Sequence, residues 1–161
     1  MIFFVKSNDT LSICPYCKGL LEYRDRKLRI RKQEGGIKTW ISIRRLKCSV
    51  CKHLHNELPD ILAPYKHYEA ELIAGVIDDV VHPDDEDSED YPCQITMERW
   101  LYWFNVNLQR IEGYLRQIAA TLHLNVTSVS LLEAERKMPQ NRWLEKILKA
   151  IYNFGGFLPP D

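Results

Sequence analysis

Polar and apolar residues alternate along much of the first third of the chain, the two-residue period of a strand with one covered face. Residues 20–31 set Tyr23, Leu28 and Ile30 among charges. Glu34-Gly35-Gly36 is a turn signal. Residues 37–46 then place Ile37, Thr39, Ile41 and Ile43 on one face and Trp40, Ser42 and Arg44 on the other. This predicts a β-hairpin whose second strand runs directly into Cys48. Pro59 and Pro64 break the pattern, so residues 56–66 read as an extended connector.

Beyond the connector the period becomes helical. Leu72, Ile73, Val76, Ile77, Val80 and Val81 predict a helix over 68–81. Residues 82–92 are too acidic for packing and read as a solvated loop. A stripe of Met97, Trp100, Leu101, Phe104, Leu108, Ile111, Leu115, Ile118 and Leu122 predicts a long helix over 94–122, as one piece or as two that meet near Gly113. Trp100 and Trp103 are expected in the core. Residues 123–137 give no clear period, with 126–130 a loop or a short cap before Leu131. A last helix over 139–154 carries Trp143, Leu144, Ile147, Leu148 and Ile151. Pro139 suits its first turn, Gly155-Gly156 ends it, and 157–160 is a tail. The expected class is α+β: a small N-terminal ribbon over 10–56, then an all-helical region over 66–156.

Length and composition fit this picture. The 161 residues suffice for one domain or two small ones, and 45% are apolar, enough for a packed core. No apolar run reaches bilayer length. Residues 1–5 are apolar but too short for a signal peptide. A cytoplasmic protein without membrane contact is expected.

The net charge is zero, but it is unevenly spread. Residues 1–60 hold 13 Lys/Arg against 6 Asp/Glu, residues 61–98 hold 1 against 11, and residues 99–161 hold 8 against 5. A basic first third can meet a polyanion. The acidic middle can do so only by facing away.

The chemistry centres on cysteine. Cys14-Pro15-Tyr16-Cys17 and Cys48-Ser49-Val50-Cys51 are two pairs of identical spacing, separated by about a hairpin's length. Two residues between cysteines make a tight knuckle, and two knuckles supply four corners of a tetrahedron, the structural zinc pattern. Gly19 suits the turn after the first knuckle. Lys18, Lys47 and Lys52 flank the thiolates and offset their charge. Paired cysteines in a reducing compartment bind metal more often than they form disulfides, and redox Cys-x-x-Cys motifs belong to a βαβ context that is missing here. His53 and His55 follow Cys51 closely. With four cysteines at hand they read as polar surface or as groups that orient the ligands. Cys93 has no partner spacing and reads as a small residue at a helix start.

The hairpin between the knuckles carries Arg24, Arg26, Lys27, Arg29, Arg31, Lys32, Lys38, Arg44 and Arg45, with Tyr23 and Trp40 among them. Cations interleaved with aromatics are what phosphate contact plus stacking requires. Thr96 and Arg99 open the long helix, where recognition helices touch bases. A competing reading is a solvated hairpin surface paired with the acidic loop. Catalysis is disfavoured. A closed four-thiolate site has no open coordination position. The acids between Asp84 and Asp90 sit in one loop rather than on separate rigid elements around a metal pair. No local motif supports a nucleophilic triad, and no small-molecule substrate is evident.

These motifs carry a resemblance. Cys14–Cys17, the run from Ile43 to Cys51, the segment from His55 to Asp60, Pro64 to Tyr68, and Thr96 to Trp100 resemble, in that order, a bacterial family of short zinc-ribbon proteins of unknown function. That family is similar to the N-terminal zinc-ribbon and helix-turn-helix region of insertion-sequence transposases. The likeness covers about residues 10–105. It implies DNA binding near mobile elements and a helix-turn-helix-like helical region, with the four cysteines as metal ligands and Thr96, Arg99 and Trp100 in a recognition-helix segment. The resulting expectation is a DNA-binding protein folded around structural zinc, transposase-like or accessory to a mobile element. The alternative is a zinc-stabilised protein-interaction module, with a protein partner or a second copy.

Overall fold

The computed structural model describes residues 2–5, 12–85, 91–126, 129–138 and 142–160. Four strands form one sheet in the order β1-β4-β3-β2: β1 (Ile2–Val5), β2 (Leu21–Lys32), β3 (Lys38–Cys48) and β4 (Leu54–Leu58). β2, β3 and β4 run antiparallel, and β1 lies parallel to β4 at the edge.

The predicted hairpin is β2–β3. Its turn is a short 3₁₀ segment, Glu34–Gly36, in which Gly35 and Gly36 take φ of 72° and 69°. That left-handed backbone suits glycine and strains other residues. The predicted faces hold: Ile43 is buried in the core, while Trp40 on the other face is 67% exposed. An irregularity between Tyr23 and Asp25 shifts the register of β2 by one residue.

Two strands were not expected. The connector assigned to 56–66 begins inside β4, and β1 lies in a stretch read only for its shortness. β4 escapes a hydrophobicity pattern because His55, Asn56 and Glu57 are polar, yet all three are buried. Chain pairing on both sides, and the side-chain partners of His55 and Glu57 described below, make that burial tolerable.

Among the described residues four α-helices follow: α1 (Ala70–Ile77), α2 (Gln94–Thr121), α3 (Leu131–Arg136) and α4 (Trp143–Asn153). α1 is shorter than the predicted 68–81. It stops where Asp79 takes φ 58°, and Asp78 turns its carboxylate to the Arg136 guanidinium (2.7 Å) and the Trp143 indole N–H (2.6 Å). α2 is continuous through Gly113. The predicted start of the last helix, 139–141, lies outside the described residues, as do 86–90 of the acidic loop. Residues 78–93 separate α1 from α2. A helix-turn-helix joins its helices by about three or four residues, so this pair lacks that spacing.

Sheet and helices share one apolar cluster. Ile43, Leu46 and Leu58 meet Ile73 and Val76 of α1, Met97, Trp100, Phe104 and Ile111 of α2, and Ile147, Leu148 and Ile151 of α4. The expected tail is docked rather than free. Leu158 is buried, the Tyr152 hydroxyl bonds its backbone, and the Trp103 indole N–H donates to the Pro159 carbonyl at 3.0 Å. Among the described residues, no helix is long and apolar enough to cross a membrane.

Candidate metal centre

The two cysteine pairs fold into the same local structure. In each, the first cysteine accepts a backbone bond from the lysine after the second: Lys18 N–H to Cys14 C=O at 2.9 Å, and Lys52 N–H to Cys48 C=O at 3.2 Å. Both lysines take φ 63°. The first cysteine's own N–H donates one residue further on, Cys14 to Gly19 C=O (2.8 Å) and Cys48 to His53 C=O (3.0 Å). The left-handed residue of the first knuckle is therefore Lys18, not Gly19 as the sequence suggested. Gly19 is required for a different reason: a Cβ there would lie 2.7 Å from Val50 Cγ2 and 3.0 Å from Cys48 Sγ.

β4 and the β2–β3 pair bring the knuckles together. The Ser49 N–H and hydroxyl both donate to the Leu20 carbonyl, and the Leu21 N–H donates to the Ser12 carbonyl. The four sulfurs converge, all within 4.8 Å of one another, with Cys14 and Cys51 3.7 Å apart and Cys17 and Cys48 3.4 Å apart. A tetrahedron with metal–sulfur bonds of about 2.3 Å has edges of about 3.8 Å. The thiol set thus matches a four-coordinate metal in donor type, number and spacing, and these residues can hold a metal ion. Cys14 and Cys48 are fully buried, and Cys17 is exposed.

Electrostatics around the sulfurs is uneven. Burial opposes ionisation of Cys48, but amide donors from Cys51 and Val50 and the neighbouring thiols outweigh it and bring that group down to about 6. At Cys51 the His53 amide favours the thiolate, yet burial and the three other thiols prevail and push it up to about 12. Cys48 therefore ionises readily, and Cys51 only against its burial and its sulfur neighbours. A bound cation removes that conflict.

Both histidines touch the centre. His53 Nδ1 lies 3.3 Å from Cys51 Sγ, and His55 Nε2 lies 3.6 Å from Cys14 Sγ. His55 is not surface: it is fully buried in β4, and burial first, then the charge of His53, lowers it to about 4. It is therefore neutral at physiological pH. The signal for this was the alternation Cys51-x-His53-x-His55, which puts three sulfur or imidazole groups at every second position. Tyr16 covers the outside, its ring 6.0 Å from that of His53 and 6.2 Å from that of His55.

A family model described as a domain of unknown function, DUF6431, matches residues 14–100. The chain belongs to that family. The match opens on Cys14 and closes on Trp100, so it takes in both knuckles, the hairpin, β4, α1 and the first turns of α2. No curated protein and no solved structure matches the chain. The likeness to transposase N-terminal regions finds no support in these comparisons.

The basic residues of the DUF6431 hairpin divide into two groups. Arg45 forms a two-pronged pair with Asp25, Arg44 another with Glu57 (2.5 and 2.9 Å), and Arg31 pairs with Glu69. Arg29 donates to the Lys66 carbonyl at 2.8 Å, and Lys32 sits over the Tyr68 ring. Arg24 is exposed, 3.8 Å from Asp25. Arg26, Lys27 and Lys38 are exposed, and none has an acidic partner among the described residues. Among the described residues, none of the hairpin's ion pairs uses Asp84 or Asp85. Thr96 and Arg99 lie in the first turns of α2. The Thr96 hydroxyl is 3.3 Å from the thiol of Cys93, the residue preceding the helix, and Arg99 is exposed.

Proposed function

We propose that this DUF6431 protein binds nucleic acid through its hairpin, with a zinc ion on Cys14, Cys17, Cys48 and Cys51 holding the hairpin's base. The observation that supports it most is the outward hairpin face. By register, its cross-strand rows are Arg26 with Arg44, Leu28 with Ser42, Ile30 with Trp40, and Lys32 with Lys38. An apolar and aromatic centre lies between two cationic rows. Arg26 and Lys38 are open there to phosphates, while Arg44 and Arg45 chiefly hold the sheet together and Arg31 ties it to Glu69 before α1. Thr96 and Arg99 supply further contacts if the bound strand reaches α2. DNA is the partner class that the charge pattern suits, and a setting among mobile elements rests on the order of motifs alone.

The test is salt-dependent binding to mixed-sequence oligonucleotides. The double variant Arg26→Glu, Lys38→Glu should weaken binding at least tenfold and lower the log–log salt slope by about 2, about one per lost phosphate contact. Unchanged affinity contradicts the assignment.

One observation favours a protein-interaction module instead. Ile95, Tyr102 and Val106 are 62%, 65% and 56% exposed along the solvent side of α2, where a surface helix is ordinarily polar. Sedimentation separates the two readings. A monomer that binds oligonucleotides supports the first, and a dimer that Tyr102→Glu dissociates supports the second.

A further inference from the structure

We infer that the hairpin's outer face takes single-stranded nucleic acid in preference to duplex, with an unpaired base stacked on Trp40. This rests on the nucleic-acid reading above and goes beyond it by naming the form of the ligand.

Three observations converge. First, the hairpin cannot stand away from the body as a ribbon. Its tip is stitched to the segment before α1: the Lys32 N–H donates to the His67 carbonyl (2.8 Å), and the Glu69 N–H donates to the Lys32 carbonyl (3.1 Å). Arg29 and Arg31 anchor its inner face to Lys66 and Glu69. A two-stranded ribbon reads duplex DNA by entering the major groove, which is about 12 Å wide. A hairpin laid flat offers a platform instead, open on one side only.

Second, the platform's centre is made for a π-face. Trp40 is 67% exposed, whereas Trp100, Trp103 and Trp143 are 3% exposed each. Ile30 lies directly across from Trp40, and Leu28, 65% exposed, lies one row away on the same face. An exposed indole flanked by aliphatic side chains gains most from a base that is not already stacked in a helix.

Third, the charge is too sparse for duplex. From the Arg26 row to the Lys32 row the face spans about 20 Å, the shorter end of single-strand site sizes, about four nucleotides. Of its cations, Arg44 is engaged by Glu57 and Lys32 by Tyr68. That leaves Arg26 and Lys38 as full phosphate contacts. Duplex, with its bases covered, is held by phosphate contacts alone, and two release few counterions. A single strand keeps both contacts and adds stacking, worth roughly tenfold to a hundredfold per base.

The measurement is tryptophan emission of the full-length protein titrated at fixed salt with oligothymidylate and, separately, with a duplex of the same length. Since three of the four tryptophans are buried, quenching reports on Trp40. The single strand should bind at least tenfold more tightly and quench the exposed indole. Trp40→Ala should lose that advantage while keeping its unfolding temperature, and Trp40→Phe should restore part of it. Duplex binding equal to or tighter than single-strand binding overturns the preference, as does single-strand affinity that Trp40→Ala leaves unchanged, while the nucleic-acid reading stands. Binding to neither ligand overturns both.

Discussion

Gly19 has no room for a side chain, and the atoms that exclude one belong to the opposite knuckle. A methyl group there meets Val50 at 2.7 Å and the Cys48 sulfur at 3.0 Å. Either the knuckles separate or the sulfur moves, and each spoils the tetrahedron. Gly19→Ala is therefore expected to lower metal affinity about tenfold or more, the range for residues that orient ligands. Val50→Ala in the same chain should recover part of the loss, since it removes the closest clash, at Cγ2, and leaves the Cys48 sulfur and the Cβ of residue 50 at 3.0 Å each. Competition with a chromophoric chelator measures this, and an unchanged affinity for Gly19→Ala would show that the knuckles are not packed as described. His55 acts beside them. Buried and neutral, it places an imidazole nitrogen against Cys14 without adding charge.

α3 shows how a short element is held by one residue of another. Its first amides meet the Glu112 carboxylate from α2: the Leu131 N–H at 3.0 Å, the Leu132 N–H at 3.1 Å, and the Ser130 hydroxyl at 3.0 Å. The Ser130 oxygen in turn accepts from the Glu133 N–H. Burial raises the Glu112 carboxyl, but these donors and Arg116 outweigh it and hold the group below its ordinary range. A carboxylate lowered in the fold contributes stability above its unfolded value of about 4.3, and this is lost as pH falls through the lower folded value. Glu112→Gln should cost about 2 kcal/mol near neutrality. In denaturant unfolding, the gap between the two proteins should close below about pH 4. A gap that persists undiminished into strong acid contradicts this role.

The hairpin, the long helix and the last helix were legible in the sequence because each carries a clean period. β4 was not, because its three consecutive polar residues are buried for reasons that lie elsewhere in the chain: Arg44 for Glu57, and the Cys14 sulfur for His55. α3 was not, because six residues are too few to show a period. Its capping signal, Ser130 followed three residues later by Glu133, was present. The convergence of the four cysteines was legible from spacing alone. Which hairpin cations face outward was not, since pairing with Asp25, Glu57 and Glu69 depends on the register and on the segments before α1.

In the whole molecule the cysteine centre is joined to the helical core at two points, through β4 and through the segment after α4. β4 carries His55 to the sulfurs and Leu58 to the shared apolar cluster. After α4 the chain turns at Gly155, φ 96°, where an added Cβ would lie 2.9 Å from the Pro15 carbonyl of the first knuckle. Beyond it Leu158 is buried in the same cluster. A metal on the thiols would thus fix the base of the hairpin, whose inner face closes part of the core. Without a cation, burial and the three neighbouring thiols oppose ionisation of Cys51. The most direct check is the metal content of the purified protein, read as the mass difference between its native and denatured spectra. One zinc ion per chain is expected, lost together with the native fold when Cys48 is replaced by serine. A native chain without metal, or one that keeps its zinc after Cys48→Ser, would contradict the four-thiolate centre.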